Sequence, residues 1–340
     1  MVGVPPGFRQ ARRRRLNGMG AATGSATPTF PWKWVARLIA TIVALALIAW
    51  WLPFDELVGA IKSVPGTTWP LAIVAYLSAH LLGVMKWRLL VNAAGAALPG
   101  RQAVHAYYWG LFGNLFLPSI VGGDVVRAGV AMKHVRSKSA LVLGSLVDRV
   151  QDVVGLGVLA GLGALLAPRA LDDDSRRIFL VFLGLLGGGG AVALVALRVL
   201  PIRKLPYKVR RVLVRVRQAV RATAARPSRL VTAFVLGLAL QASLILLNWE
   251  LGRVIGIDIP LYVWFFVWPL AKIAGLTPLT QGGIGVREAA QAALFAPFGV
   301  SAVQAVATGL VFEAVIITGG LLAGGIAVAM RHRELRAVPA

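Results

Sequence analysis

Apolar residues run through this chain in long stretches, and most polar residues gather between them. Six stretches, at about 34–52, 69–91, 139–167, 177–199, 230–251 and 303–330, are long enough to form a helix that crosses a hydrocarbon core. In lipid every backbone N–H and C=O must be satisfied within the segment, so stretches of this kind are predicted as helices. Two further apolar regions, at about 103–131 and 261–298, are broken midway by proline and paired glycines. Their arms, of about 15 to 17 residues, are short for a crossing and predict helical hairpins that enter and leave on one side. The expected fold is an all-α polytopic membrane protein of six full transmembrane helices and two re-entrant hairpins, arranged as an inverted-topology repeat.

Charge orients these elements. The sequence holds 36 Lys and Arg against 13 Asp and Glu, a balance that by itself suits a nucleic-acid binder. The basic residues, however, sit at the ends of the apolar stretches. Arg9, Arg12 to Arg15, Lys33 and Arg37 precede or open the first, Arg198 to Arg229 hold eleven, and Arg331, Arg333 and Arg336 follow the last. That is the cytoplasmic signature of an inner-membrane protein and the footprint of anionic headgroups, so no nucleic-acid partner is expected. Both termini are then cytoplasmic, with Asp55, Glu56 and Asp172 to Asp174 outside. The first hairpin enters from the cytoplasm and the second from outside. The expected organisation is a disordered basic N-terminus (1–33), a first membrane half (34–200), a linker (201–229), a second half (230–330) and a tail (331–340). Within the linker Val209, Leu213, Val216 and Val220 form a helical stripe flanked by basic residues, as in a helix lying among headgroups, though a plain positive-inside linker suffices for the topology. The first span shows no small-residue cleavage site and reads as an uncleaved anchor.

The two broken regions share a motif. Residues 118–127 read PSIVGGDVVR and residues 278–287 read PLTQGGIGVR, both P-x-x-x-G-G-x-x-V-R and 160 positions apart. Pro118 and Pro278 would end one arm by removing a donor and crowding the preceding turn. Gly122, Gly123, Gly282 and Gly283 would let the chain reverse and another backbone or a headgroup come close. The arm that follows opens with unsatisfied N–H groups, an anion site that Arg127 or Arg287 would strengthen for phosphate. The alternative is that the glycines are packing notches and the arginines snorkel.

Ionisable residues inside a membrane are costly and mark function by default. Asp148, Arg149 and Asp152 lie in the 139–167 stretch, Glu313 in the last, Lys272 and Glu288 in the second broken region, Asp124 in the first and Glu250 near the end of the fifth stretch. Glu313 stands near the place corresponding to Arg149. For Asp152 and Glu250, ion pairs that only hold helices in register remain the alternative. Gly155, Gly157, Gly161 and Gly163 suit packing within one chain or between two, leaving a homodimer open.

The runs KWRLLVNAAG, FGNLFLPSIVGGDVVRAG, SLVDRVQDVVGL and PLTQGGIGVREAAQAALF, with FGV after the last, resemble the lysylphosphatidylglycerol synthase transmembrane, or flippase-like, domain family over about residues 35–330. The resemblance implies movement of a phospholipid-type headgroup between leaflets, with Gly122, Gly123, Asp124, Arg127, Asp148, Arg149, Gly282, Gly283, Arg287 and Glu288 lining the path. The soluble aminoacyl-transferase domain of the named synthases has no counterpart here, so lipid synthesis is not expected.

The reading is a lipid flippase rather than an enzyme. Membrane phospholipids are its partners, a polar groove between the hairpins its path, and no cofactor or metal is needed. No G-x-x-x-x-G-K-[ST] pattern is present, so ATP hydrolysis is not expected. Two rivals stand beside it. Asp148 and Asp152 would bind Mg²⁺ in an integral-membrane transferase, or the chain would be an accessory subunit of a lipid-modifying enzyme. The absence of cysteine excludes disulfides, and the four histidines show no ligand spacing.

Overall fold

The computed structural model describes residues 52–117, 122–166, 225–276 and 283–336 continuously, with scattered positions elsewhere. The stretch predicted at 34–52 is described in part, at 35, 39–43, 46, 47 and 50, all helical, whereas most of 177–199 and of the linker at 201–229, and Pro118, Pro278 and Gly282, fall outside the described residues. Within them every element is helical. The helices are α1 (Phe54–Lys62), α2 (Thr68–Ala93), α3 (Gly100–Phe116), α4 (Gly122–Ala131), α5 (Lys138–Leu166), α6 (Pro227–Val254), α7 (Leu261–Ala274), α8 (Val286–Phe295) and α9 (Ala302–Arg336). Four of them, α2, α5, α6 and α9, are long and apolar enough to cross a membrane, and each overlies a predicted stretch. The chain is a multi-pass membrane protein.

Both predicted breaks occur, and their causes are local. At Leu117 the backbone turns extended (φ −91°, ψ 136°), the conformation forced on a residue that precedes proline. Helix resumes at Gly122. In the second region α7 ends at Ala274 and α8 begins only after Gly285, which has φ 87°. The expected arm length, about 15 to 17 residues, is met by α3 at 17 residues and approached by α7 at 14, but α4 and α8 have only 10 each. In α8 the stop is a 3₁₀ turn at Ala296–Phe298 holding Pro297, closed by Gly299 at φ 77°, a left-handed cap that glycine adopts without strain.

The helices pack in matching pairs. Arm α3 lies against α4, and α7 against α8. Arm α3 also packs on α9, and α7 on α5. Span α2 contacts α5 as α6 contacts α9, α6 meets α5 as α2 meets α9, and α2 and α6 pack on each other. Glycines set the closest approaches. A Cβ on Gly163 would lie 2.8 Å from the carbonyl oxygen of Tyr262 and from the carbonyl carbon of Phe265 in α7, so α5 and α7 touch backbone to backbone. Gly155, Gly163, Gly319 and Gly324 all face side chains or backbone of this same chain. Trp87, Trp264, Trp268, Phe295 and Phe312 fill the interior. Leu71, Val74, Leu165, Val231 and Leu321 point outward, as lipid-facing residues do.

Candidate functional site

Six charged side chains from α2, α4 and α5 close into a ring of alternating sign. The Lys86 ammonium reaches Asp148 Oδ1 at 3.1 Å and Asp152 Oδ1 at 2.6 Å. Asp148 Oδ2 accepts from Arg127 Nη2 at 3.0 Å, and the same nitrogen lies 3.0 Å from Asp124 Oδ1. Asp124 Oδ2 accepts from Arg149 Nε, and Arg149 Nη1 returns to Asp152 Oδ2 at 3.8 Å. Each cation touches two carboxylates and each carboxylate two cations, so the ring is neutral and complete. That arrangement answers the cost of desolvating charge, which pairing alone seldom repays. Arg127 is further held under the Trp87 ring (4.5 Å to its centroid) and near Tyr107 (5.2 Å), while the Trp87 N–H donates to Ser145 Oγ at 2.9 Å.

The second half builds a related but open group. Arg287 donates from Nη2 to Glu288 Oε1 and to Glu313 Oε2, each at 2.6 Å, and lies 5.6 Å from the Trp268 ring centroid. Lys272, also from this half, meets no carboxylate within salt-bridge distance among the described residues; its ammonium donates to Gln241 Oε1 on α6 at 2.9 Å. It nevertheless lies within electrostatic reach of Asp152, Arg149, Arg287 and Lys86, so the two halves share one polar seam of five cations and five carboxylates. Aromatic residues bridge it. His80 Nδ1 is 3.3 Å from the Tyr107 hydroxyl, and the His80 ring stands edge-on to Tyr76 with centroids 4.5 Å apart.

Depth divides the seam. Lys86, Arg127, Asp148, Arg287 and Glu288 are buried, whereas Asp124, Arg149, Asp152, Lys272 and Glu313 are partly exposed. The partly exposed set forms the accessible edge.

The motif glycines have two separable duties. A Cβ on Gly123 would strike the Asn114 side chain and the Gly110 carbonyl of the facing arm. Gly283 has φ 80°, and its Cβ would press into the backbone of Gly275. Gly122 packs against Leu117. These are close approaches of arm to arm.

Several sequence expectations change in detail. Two N–H groups beside the breaks are engaged: Gly123 donates to Asn114 Oδ1 at 2.8 Å, and Gly285 to Glu288 Oε2 at 2.6 Å. Arg287 lies in the first turn of α8, but Arg127 is in the second turn of α4 because that helix already begins at Gly122. By its bonds Glu313 corresponds to Asp148 rather than to Arg149, since each takes the Nη2 proton of its half's arginine. Asp152 joins the ring. Glu250 is a surface residue paired to Arg253 on its own helix, both about half exposed. Lys86 was missed as a site residue, although a lone lysine amid the apolar stretch 69–91 was the available signal. Gln241 and Asn114 carry no such signal.

The family model described as lysylphosphatidylglycerol synthase TM region matches residues 34–324. No curated protein matches the chain.

Proposed function

The chain belongs to the lysylphosphatidylglycerol synthase transmembrane-region family, membrane proteins related to lipid handling, and on that premise we propose that it is a flippase for phosphate-bearing lipid headgroups. The observation that carries the reading is the pair of buried arginines, Arg127 and Arg287, at matching places in the repeated motif, each held by carboxylates and an aromatic ring. An isolated guanidinium inside a membrane is expensive. Placing one in each half, beside a partly exposed row of charge, suits a headgroup passed from one half to the other.

In this reading α2–α5 and α6–α9 are inverted repeats, and the α3–α4 and α7–α8 pairs are re-entrant hairpins from opposite faces of the inner membrane. Both termini are cytoplasmic. The matching helix contacts support this, as an inverted repeat packs each arm on the other half's span in both directions. Phosphate competes with Asp148 or Glu313 for its arginine, the acyl chains stay in lipid, and rocking of one half on the other changes access. Asp124, Arg149, Lys272 and Glu288 keep the charge balanced as partners exchange. Chemistry on the lipid is not required. The transferase alternative needs Asp148 and Asp152 to share Mg²⁺, and the Lys86 ammonium already stands between them.

The test is reconstitution of the purified protein into liposomes with fluorescent phospholipids, scoring the labelled lipid that becomes reachable by a membrane-impermeant quencher. Wild type is expected to accelerate exchange. Arg287→Gln, with Glu313→Gln to preserve charge balance, should abolish it while leaving the detergent elution profile unchanged. Wild-type exchange rates in that variant would refute the role of Arg287.

A further inference from the structure

The charges of the seam cancel. Lys86, Arg127, Arg149, Lys272 and Arg287 stand against Asp124, Asp148, Asp152, Glu288 and Glu313. An anionic headgroup that enters adds one negative charge, and a net charge inside a membrane is costly. Exchange of partners among the ion pairs cannot offset it, because exchange moves charge without changing its sum. The entering anion therefore calls for one further positive charge.

One residue outside that count can gain such a charge near neutral pH, a histidine. His80 lies on α2 and is 9% exposed. Its Nδ1 stands 3.3 Å from the Tyr107 hydroxyl on α3, and its ring is edge-on to Tyr76 on its own helix. Among the described residues it touches no carboxylate. Lys272 on α7, part of the accessible edge, lies within its electrostatic reach, and the partner of Lys272 on α6 is the neutral Gln241. A second buried cation beside Lys272, with no carboxylate in contact, is unfavourable, so the imidazole is uncharged in the empty seam.

Two tyrosines place His80 between the halves. Arg127 of α4 lies 5.2 Å from the Tyr107 ring centroid, and Asp148 of α5 is within electrostatic reach of that phenol. Tyr76 is within reach of Arg287 on α8 and Glu313 on α9. Lys86 follows further along α2. Glycines seat both rings: a Cβ on Gly83 would strike the Tyr107 hydroxyl, and one on Gly319 in α9 the Tyr76 ring. Asp148 and Glu313 are the carboxylates that phosphate would displace from Arg127 and Arg287. His80 thus has one tyrosine between it and each displaced carboxylate, and can answer the added negative charge in either half.

We propose that His80 takes up one proton when an anionic headgroup enters the seam, so that in transport the headgroup and a proton cross together without net charge. The proton is taken from water on the side of entry and returned to water on the side of exit. The inference rests on the reading that the seam carries a phosphate-bearing headgroup, and it adds the coupling ion.

Proton uptake on binding tests it apart from transport. The full chain in detergent, weakly buffered with an indicator dye, is titrated with short-chain phosphatidylglycerol, whose phosphodiester keeps a single negative charge, and with phosphatidylcholine, whose net charge is zero. About one proton should be taken up per phosphatidylglycerol bound, and none with phosphatidylcholine. Below a certain pH the imidazole is charged with or without lipid, and above a higher one it is neutral in both. Between the two, affinity for phosphatidylglycerol should fall about tenfold for each unit that pH rises. His80→Gln keeps a neutral polar side chain beside Tyr107 and should bind with no proton uptake and a flat pH profile. Tyr107→Phe, a second variant, should keep the one-proton uptake while its pH window shifts. Ring-nitrogen NMR of histidine-labelled protein gives a direct readout, since the chain has four histidines and the resonance missing from His80→Gln is that of His80. It should become an imidazolium with phosphatidylglycerol and stay neutral with phosphatidylcholine. Lipid binding without proton uptake, uptake that survives His80→Gln, or uptake while the His80 ring stays neutral would each overturn the assignment and leave the flippase reading standing. In liposomes a gradient of one pH unit should enrich labelled phosphatidylglycerol about tenfold in the leaflet facing the alkaline side, and exchange to an even distribution would overturn the coupling. Proton-linked binding with no exchange in liposomes would uphold His80 as the proton site and defeat the transport reading.

Discussion

Lys86→Met is the most direct probe of the closed ring. Methionine keeps an unbranched stem of similar length and deletes only the ammonium. The lysine is 1% exposed and touches Asp148 and Asp152 at 3.1 and 2.6 Å. At an effective dielectric constant of about 20, one such contact is worth about 5 kcal/mol of attraction. Desolvating the charges consumes several kcal/mol per ion, so the intact ring is near break-even against an apolar core. The balance changes when one member is deleted. Asp148 and Asp152 stay buried or mostly buried, with Arg127 and Arg149 as their remaining ion-pair partners, and loss of one partner from a buried pair costs about 3–5 kcal/mol. Lys86→Met should therefore destabilise by that amount. Adding Asp152→Asn restores neutrality and should recover about 2 kcal/mol as coupling between the two sites. The assay is unfolding of the detergent-solubilised single and double variants, followed by thermal loss of the monodisperse elution peak and by denaturant titration. A Lys86→Met protein as stable as wild type, or a double variant whose loss equals the sum of the singles, would refute the closed ring.

Other consequences follow from backbone contacts. Gly163→Val places a side chain against the α7 backbone, which cannot rotate aside, and should cost about 1–3 kcal/mol in the same unfolding assay. Gly129→Ala, where nothing lies within 4 Å of the new Cβ, should be neutral or stabilise by up to about 1 kcal/mol as a helix-interior replacement. Asn114→Ala removes the acceptor of the Gly123 N–H; it should cost about 1–2 kcal/mol and raise hydrogen exchange at the start of α4 while sparing α8.

Sequence and tertiary structure divided the work according to range. The spans at 69–91, 139–167, 230–251 and 303–330 were legible because lipid forces each segment to satisfy its own backbone, and so apolar length suffices to define it. The breaks in the two interrupted regions were legible because proline and glycine act on their immediate neighbours, as at Leu117 and Gly283. Arm length was misjudged, since the end of α8 depends on a 3₁₀ turn that apolarity does not announce. The candidate residues Asp124, Arg127, Asp148, Arg149, Arg287, Glu288 and Glu313 were legible one by one from the cost of charge in a membrane.

Which of them meet was another matter. Lys86 closes the ring from 62 and 66 residues away, and Lys272 finds Gln241 across 31. Those encounters depend on how far one helix slides and turns against the next. That register is set by contacts such as Gly163 on the α7 backbone and Gly252 on Trp264. A displacement of one residue rotates a helical side chain by about 100°, enough to part an ammonium from its carboxylates. Which segments lie in the membrane and where charge is tolerated were thus properties of the sequence alone. The closed ring of the first half, and the second half whose lysine bonds an amide on α6, were decided only when the helices packed.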